Sequence, residues 1–233
     1  MEEIKKAERI QTSFLNAAEK KALVWLAERM PRPVTSDALT AVGVLGSIII
    51  AAGYILSRFD IRFLWLATFG FIVNWFGDSL DGTLARVRNT QRPIYGYYLD
   101  HTVDVINEIV MFVGIGLSPL VNLDLAVSAL GLYLILTLNV SMNAHLRKEF
   151  RLTYAKLGPT EFRLLMIFFN CLFLFVRPIR EYSHDWVVIG RPYTTGIFDY
   201  FAIFVIVVLL SIYIYSIVND LRYYAKIDPP KKF

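Results

Sequence analysis

Cysteine and charge are what this 233-residue sequence has least of. A single cysteine, Cys171, excludes a disulfide framework and any zinc site built on cysteine pairs. Charged residues make up 19% of the chain, against about 25% in an average soluble domain. Disorder is excluded as well, because it requires low hydrophobicity. No cleavable leader is expected: the first residues, MEEIKKAERIQ, are charged, and no short apolar stretch with a small-residue cleavage site follows. Apolar residues are plentiful instead, at 56%, with 17 Phe and 13 Tyr. The net charge of +4 would suit nucleic acid, but an anionic membrane surface suits this composition better, and no nucleic-acid partner is expected.

A bilayer core takes about 20 apolar residues as a helix. Six stretches qualify or nearly so: about Val34–Ser57, a second from Ile61 that is apolar to Phe76, Ile94–Leu117, Leu123–His145, Phe162–Val176 and Ile197–Val218. The second runs on into the polar GDSLDGTLARV, and the fifth is short. Ahead of them, Ile4, Ala7, Ile10, Phe14, Ala18, Ala22 and Trp25 fall at helical spacing, which reads as an amphipathic helix lying in the membrane interface. Pro31 and Pro33 break the chain before the first span. The expected fold is therefore an all-α integral membrane protein of six transmembrane helices preceded by an interfacial helix. Residues 1–33 form that helix, 34–224 the membrane domain and 225–233 a cytoplasmic tail. With the N-terminus in the cytoplasm, nineteen of the 24 Lys and Arg residues fall on the inner side; only Arg58, Arg62, Arg177, Arg180 and Arg191 fall outside. The positive-inside rule thus expects both termini in the cytoplasm.

The carboxylates carry the functional signal. Asp78 and Asp81 are three apart at the end of the second segment, and Asp100 and Asp104 are four apart at the start of the third. Each pair shares a helix face. The connection between them is short and contains Pro93, so the two helices are antiparallel neighbours and their acidic faces can meet at the cytoplasmic end. Four clustered carboxylates repel strongly at depth. Hard divalent cations resolve this, and two such ions can sit between four aspartates. Gly82 and Ala85 remove side-chain bulk from the same helix, so a flat ligand can lie against the backbone, and Arg86 adds positive charge.

The string D-x2-D-G-x2-A-R-x9-G-x3-D-x3-D, from Asp78 to Asp104, resembles the signature of the CDP-alcohol phosphotransferase family, with every fixed position matched. The resemblance implies transfer of a substituted phosphoryl group from a CDP-alcohol to a hydroxyl acceptor, with release of CMP, in phospholipid biosynthesis. It also implies two divalent cations, Mg²⁺ or Mn²⁺, held by Asp78, Asp81, Asp100 and Asp104, and a homodimer among membrane lipids. The cytidine nucleotide is expected against Asp78, Gly82, Ala85, Arg86 and Gly96. Ser36-Asp37 stands where relatives often have Pro-Asn.

Two groups compete as the base. Cations beside Asp104 favour its charged form and weaken it as a base. His101 is the other candidate, since histidine is the side chain suited to proton transfer near neutral pH, and Glu161 is a candidate to orient it. His101 and Thr160-Glu161 resemble the choline/ethanolamine phosphotransferase branch, which uses a soluble CDP-headgroup. Asn143, Arg147 and Arg151, at i, i+4 and i+8, are candidates to hold a headgroup or acceptor, and Asn74 to line the site wall. The alternative function is a divalent-cation transporter that uses the intramembrane aspartates. Against it, the acids cluster at one end and the Gly82/Ala85 slot has no use in an ion path.

Overall fold

The computed structural model describes residues 9–10, 16–147, 150–151 and 159–230. Its helices are α1 (Asn16–Arg29), α2 (Ser36–Leu56), α3 (Leu64–Val87), α4 (Pro93–Gly116), α5 (Leu123–Arg147), α6 (Pro159–Phe175), the short α7 (Arg177–Glu181) and α8 (Ile197–Ile227). Two short strands, β1 (Arg9–Ile10) and β2 (Phe150–Arg151), pair in parallel. Two longer ones, β3 (Ser183–Val188) and β4 (Arg191–Gly196), form an antiparallel hairpin before α8.

Local chemistry sets the boundaries. Thr35 caps α2 by accepting a hydrogen bond from the Ala38 amide at 3.1 Å. Asp60 accepts from the Arg62 amide at 2.9 Å and opens the 3-10 turn Ile61–Phe63 that leads into α3. Asn89, with a left-handed φ of 55°, ends the turn after α3, and Pro93 opens α4 at a position where its missing N–H costs nothing. Asp199 accepts from the amides of Gly196 and Asn122, both at 2.7 Å, which caps α8 and ties it to the loop before α5.

Helices occupy all six expected segments, and four of the stretches are long and apolar enough to cross a membrane: Ser36–Leu56, Ile61–Val87, Leu123–Leu146 and Ile197–Ile227. The other two depart for plain reasons. Every 18-residue stretch of α4 contains Asp100, Asp104 and Glu108. Helix α6 has 17 residues. The β3–β4 hairpin was not expected from an all-α reading.

Helices α2 and α3 cross at backbone contact. A Cβ on Gly77 would fall on the backbone nitrogen of Gly43, one on Gly46 on the backbone of Asn74, and one on Gly53 on that of Ala67. One core cluster, around Ile50, Tyr54, Leu64, Phe71, Phe173 and Phe198, fills the end where α3, α7 and the hairpin begin. A smaller cluster of Leu23, Ala27, Leu39, Leu80 and Leu84 seats α1 on α2 and α3 at the other end. Of the expected apolar stripe, Ala18, Ala22 and Trp25 are exposed, because α1 turns Leu23 and Ala27 inward instead. The stripe residues Ile4, Ala7 and Phe14 lie outside the described residues, and nothing is described of the Ile10 side chain. Arg58, Arg62, Arg177, Arg180 and Arg191 all stand at the hairpin end of the bundle, while the aspartates stand at the opposite end.

Candidate active site

The site is built where α3 ends and α4 begins. Residues 88–92 join the two, so the chain reverses at once and lays the start of α4 beside the last turns of α3. Arg88 locks this corner: its guanidinium donates to the carbonyls of Met30 at 2.8 Å and Pro31 at 2.9 Å, and to that of Val34. The linker between α1 and α2 is thereby tied to the end of α3.

Asp78, Asp100 and Asp104 converge here. Each offers a carboxylate oxygen, and the three oxygens lie within 4.8 Å of one another. Asp81 is oriented differently. Its carboxylate accepts from the Thr40 hydroxyl at 2.6 Å and from the Gly82 amide, and its carbonyl accepts from the Ser36 hydroxyl at 2.7 Å. The start of α2 therefore forms the third wall, and Ser36, at the departure from the Pro-Asn pattern, takes part in it. The neighbouring Asp37 instead meets Arg92 at 3.3 Å.

Behind the aspartates runs a buried polar chain through four helices. Arg163 of α6 donates to Asp78 at 2.5 Å and to Asn74 at 2.9 Å. Asn74 donates to the Gly43 carbonyl at 2.9 Å and to Ser47 at 3.2 Å. Ser47 donates to Asn107 at 2.7 Å. Asn74 thus stands behind Asp78, as its position one turn earlier predicts. Arg163 was not expected. In sequence it counted only as one more cation at a helix end, and its sole signal is its place near the start of an otherwise apolar helix. Glu108, one turn beyond Asp104, keeps a buried oxygen with no hydrogen-bond partner among the described residues and faces Tyr133 of α5.

The donor set suits a hard cation. The converging ligands are all carboxylate oxygens, and the Arg163 guanidinium meets the Asp78 carboxylate at 2.5 Å. The surroundings suit a flat anionic ligand. Among the described residues, a Cβ on Gly82 would meet only the Arg86 guanidinium at 3.5 Å, and one on Gly96 would meet nothing within 4 Å. Neither glycine is required by packing. Arg86 is exposed and donates to Thr83 at 2.9 Å.

His101 stacks on Tyr97, with ring centres 4.0 Å apart, and its Nδ1 lies 3.0 Å from the Tyr97 carbonyl and 3.7 Å from Asp100. Glu161 stands in the first turn of α6, two residues before Arg163. The Asn143 amide donates to Asp220 at 2.7 Å and accepts from Tyr224 at 2.7 Å, which ties α5 to α8. The side chains of Arg147 and Arg151 lie outside the described residues.

Four helices long and apolar enough to cross a membrane, with a carboxylate cluster at one end that could hold a metal ion, are the features of a membrane protein. A family model narrows this. The chain belongs to the CDP-alcohol phosphatidyltransferase family, whose model matches residues 34–212 and so takes in α2 to α7, the β3–β4 hairpin and half of α8. It is accordingly a transferase of phosphate-containing groups, using a CDP-alcohol donor and a hydroxyl acceptor. No curated protein matches the chain significantly.

Proposed function

We propose that this enzyme transfers a substituted phosphoryl group from CDP-diacylglycerol or a CDP-linked headgroup to a hydroxyl acceptor, releasing CMP, in a Mg²⁺- or Mn²⁺-dependent step of phospholipid biosynthesis. The observation that carries this reading is the convergence of Asp78, Asp100 and Asp104 beside a strip of helix left open at Gly82. Asp78, Asp81, Asp100 and Asp104 are the residues that would hold two divalent cations, Asp81 by turning from Thr40 and Gly82. Bound there, the cations would neutralise the donor's pyrophosphate and the charge that develops on departing CMP.

The remaining steps belong to the chain's own groups. Gly82, Ala85 and Gly96 give the nucleotide access to the backbone, and Arg86 offers it a guanidinium. The attacking hydroxyl must lose its proton. With His101 Nδ1–H donating to the Tyr97 carbonyl, Nε2 carries the lone pair that can take that proton. Asp104 is the alternative base, and Glu161 the carboxylate that steadies the histidine. Asn143, Arg147 and Arg151 are the groups assigned to an acceptor or headgroup.

In the same reading α4 and α6 also lie within the membrane, which makes six spans with both termini and the site on the cytoplasmic face. The exposed Ala18, Ala22 and Trp25 of α1 then rest on the interface, and the enzyme works as a homodimer. The test is a panel of CDP-alcohols and lipid acceptors given to the purified protein, scored by CMP release and product mass. CMP from one donor–acceptor pair is the expected result. Cation flux in proteoliposomes without CMP from any pair would favour a transporter instead.

A further inference from the structure

The β3–β4 hairpin stands at the end of the bundle opposite the aspartates, and the proposed chemistry makes no use of it. Its base is fixed. The Asn122 side chain donates to the Thr194 carbonyl at 2.9 Å, and Tyr193 donates to Asp124, with 3.0 Å to each carboxylate oxygen, at the first turn of α5. Trp186 donates to Thr195 at 3.0 Å, and Thr194 to Asp185 at 2.6 Å, so the two strands are also cross-tied.

The free end is chemically unlike the base. Trp186, Val187, Val188 and Ile189 follow one another, and all are exposed, Val187 at 80% and Ile189 at 97%. A two-residue hairpin turn with left-handed backbone prefers Asn-Gly. Here the turn is Ile189-Gly190, with φ of 51° and 73°. A β-branched residue in that conformation is a true outlier, disfavoured by contact between its Cβ and the backbone. The sequence thus places a large apolar side chain at the very tip, against the preference of the turn.

We propose that this tip inserts into the lipid bilayer at the headgroup–acyl boundary. The hairpin is joined directly to a helix long and apolar enough to cross a membrane, since Gly196 immediately precedes Ile197; on the six-span reading proposed above, its base stands at the membrane surface. Tyr193 holds the hairpin to Asp124 of α5, and beyond the Trp186–Tyr193 pair two further residue pairs and the turn carry the tip about 7–10 Å from that contact. Leu123 and Val127, at the start of the α5 helix that Tyr193 holds through Asp124, are exposed apolar residues as well. Tyr182, Trp186 and Tyr193 are the aromatic types enriched at membrane interfaces, and Arg191, paired with Val188 across the hairpin, is placed to meet lipid phosphate. The one acid on β3, Asp185, is turned to Thr194 nearer the base.

The test uses the full chain with Cys171→Ser and Ile189→Cys, labelled with an environment-sensitive fluorophore and reconstituted in phosphatidylcholine–phosphatidylglycerol vesicles. The expected result is emission blue-shifted from that of the glutathione-bound label, quenched by doxyl-labelled lipid and shielded from iodide. Water-like emission quenched by iodide would overturn the proposal. Blue-shifted emission untouched by doxyl lipid would overturn it too, since it would mean that protein covers the tip. A second variant keeps the turn but removes the anchor. With the label at Val187→Cys, Ile189→Asn is expected to reduce doxyl quenching, and unchanged quenching would count against the tip. Neither readout depends on catalytic activity.

Discussion

Glycine does opposite work in two regions of this molecule. Where α2 crosses α3, Gly46, Gly53 and Gly77 are filled against by neighbouring backbone, and no Cβ fits. At the site end, among the described residues, a Cβ on Gly82 would meet only the Arg86 guanidinium, at ordinary contact distance, and one on Gly96 would meet nothing within 4 Å. The first set exists for the fold: small residues let two helices approach closely where lipid supplies no hydrophobic drive. The second set weakens its helices, because a glycine in a helix interior costs about 0.5–1 kcal/mol relative to alanine. Open glycines beside converging carboxylates are what a site for a flat ligand requires.

Substitutions can break or sharpen this contrast. Gly77→Val is expected to have the largest effect. Overpacking a core costs about 1–3 kcal/mol and more when backbones must separate, so the variant should lose most of its yield of monodisperse, solubilised protein. Gly82→Leu should leave yield and melting temperature unchanged or slightly raised, yet lower kcat/KM roughly 100-fold by displacing the nucleotide. A parallel loss of stability would place Gly82 with the packed set. Arg163→Lys keeps the charge but loses the fork that reaches both Asp78 and Asn74. It should reduce activity about 10-fold and raise the cation concentration needed for half-maximal activity, as loss of an orienting partner does. Gly96→Ala should be mildest, with stability raised by about 0.5–1 kcal/mol and a loss of activity of only a few-fold. Thermal melts and CMP release on the same samples check all four.

The aspartate pairs were readable because helical spacing and a short Pro93-containing link dictate where they meet. The order of the helices was readable for a similar reason, since apolar length marks each segment. Partners far apart in sequence were not. Arg163 reaches Asp78 across 85 positions, and nothing local distinguishes it from a cation at a helix end. Thr40 and Ser36 take hold of Asp81 only because glycines bring α2 against α3. Asn143 was read for a headgroup from its spacing, yet its amide is engaged by Asp220 and Tyr224 of α8, which no periodicity in α5 reveals. The hairpin escaped notice because a short β-branched run between two apolar helices does not stand out in a chain already rich in such residues.

The central claim is that the converging aspartates perform CDP-alcohol chemistry through divalent cations. The most direct measurement is CMP release by the purified protein across CDP-alcohols and acceptors, after EDTA treatment and on adding back Mg²⁺ or Mn²⁺, with Asp100→Asn alongside. Cation-dependent CMP is predicted for the native chain, and a loss of more than about 100-fold is predicted for the variant, with its melting behaviour retained. CMP release that survives EDTA, or an Asp100→Asn protein as active as the native one, would contradict the assignment.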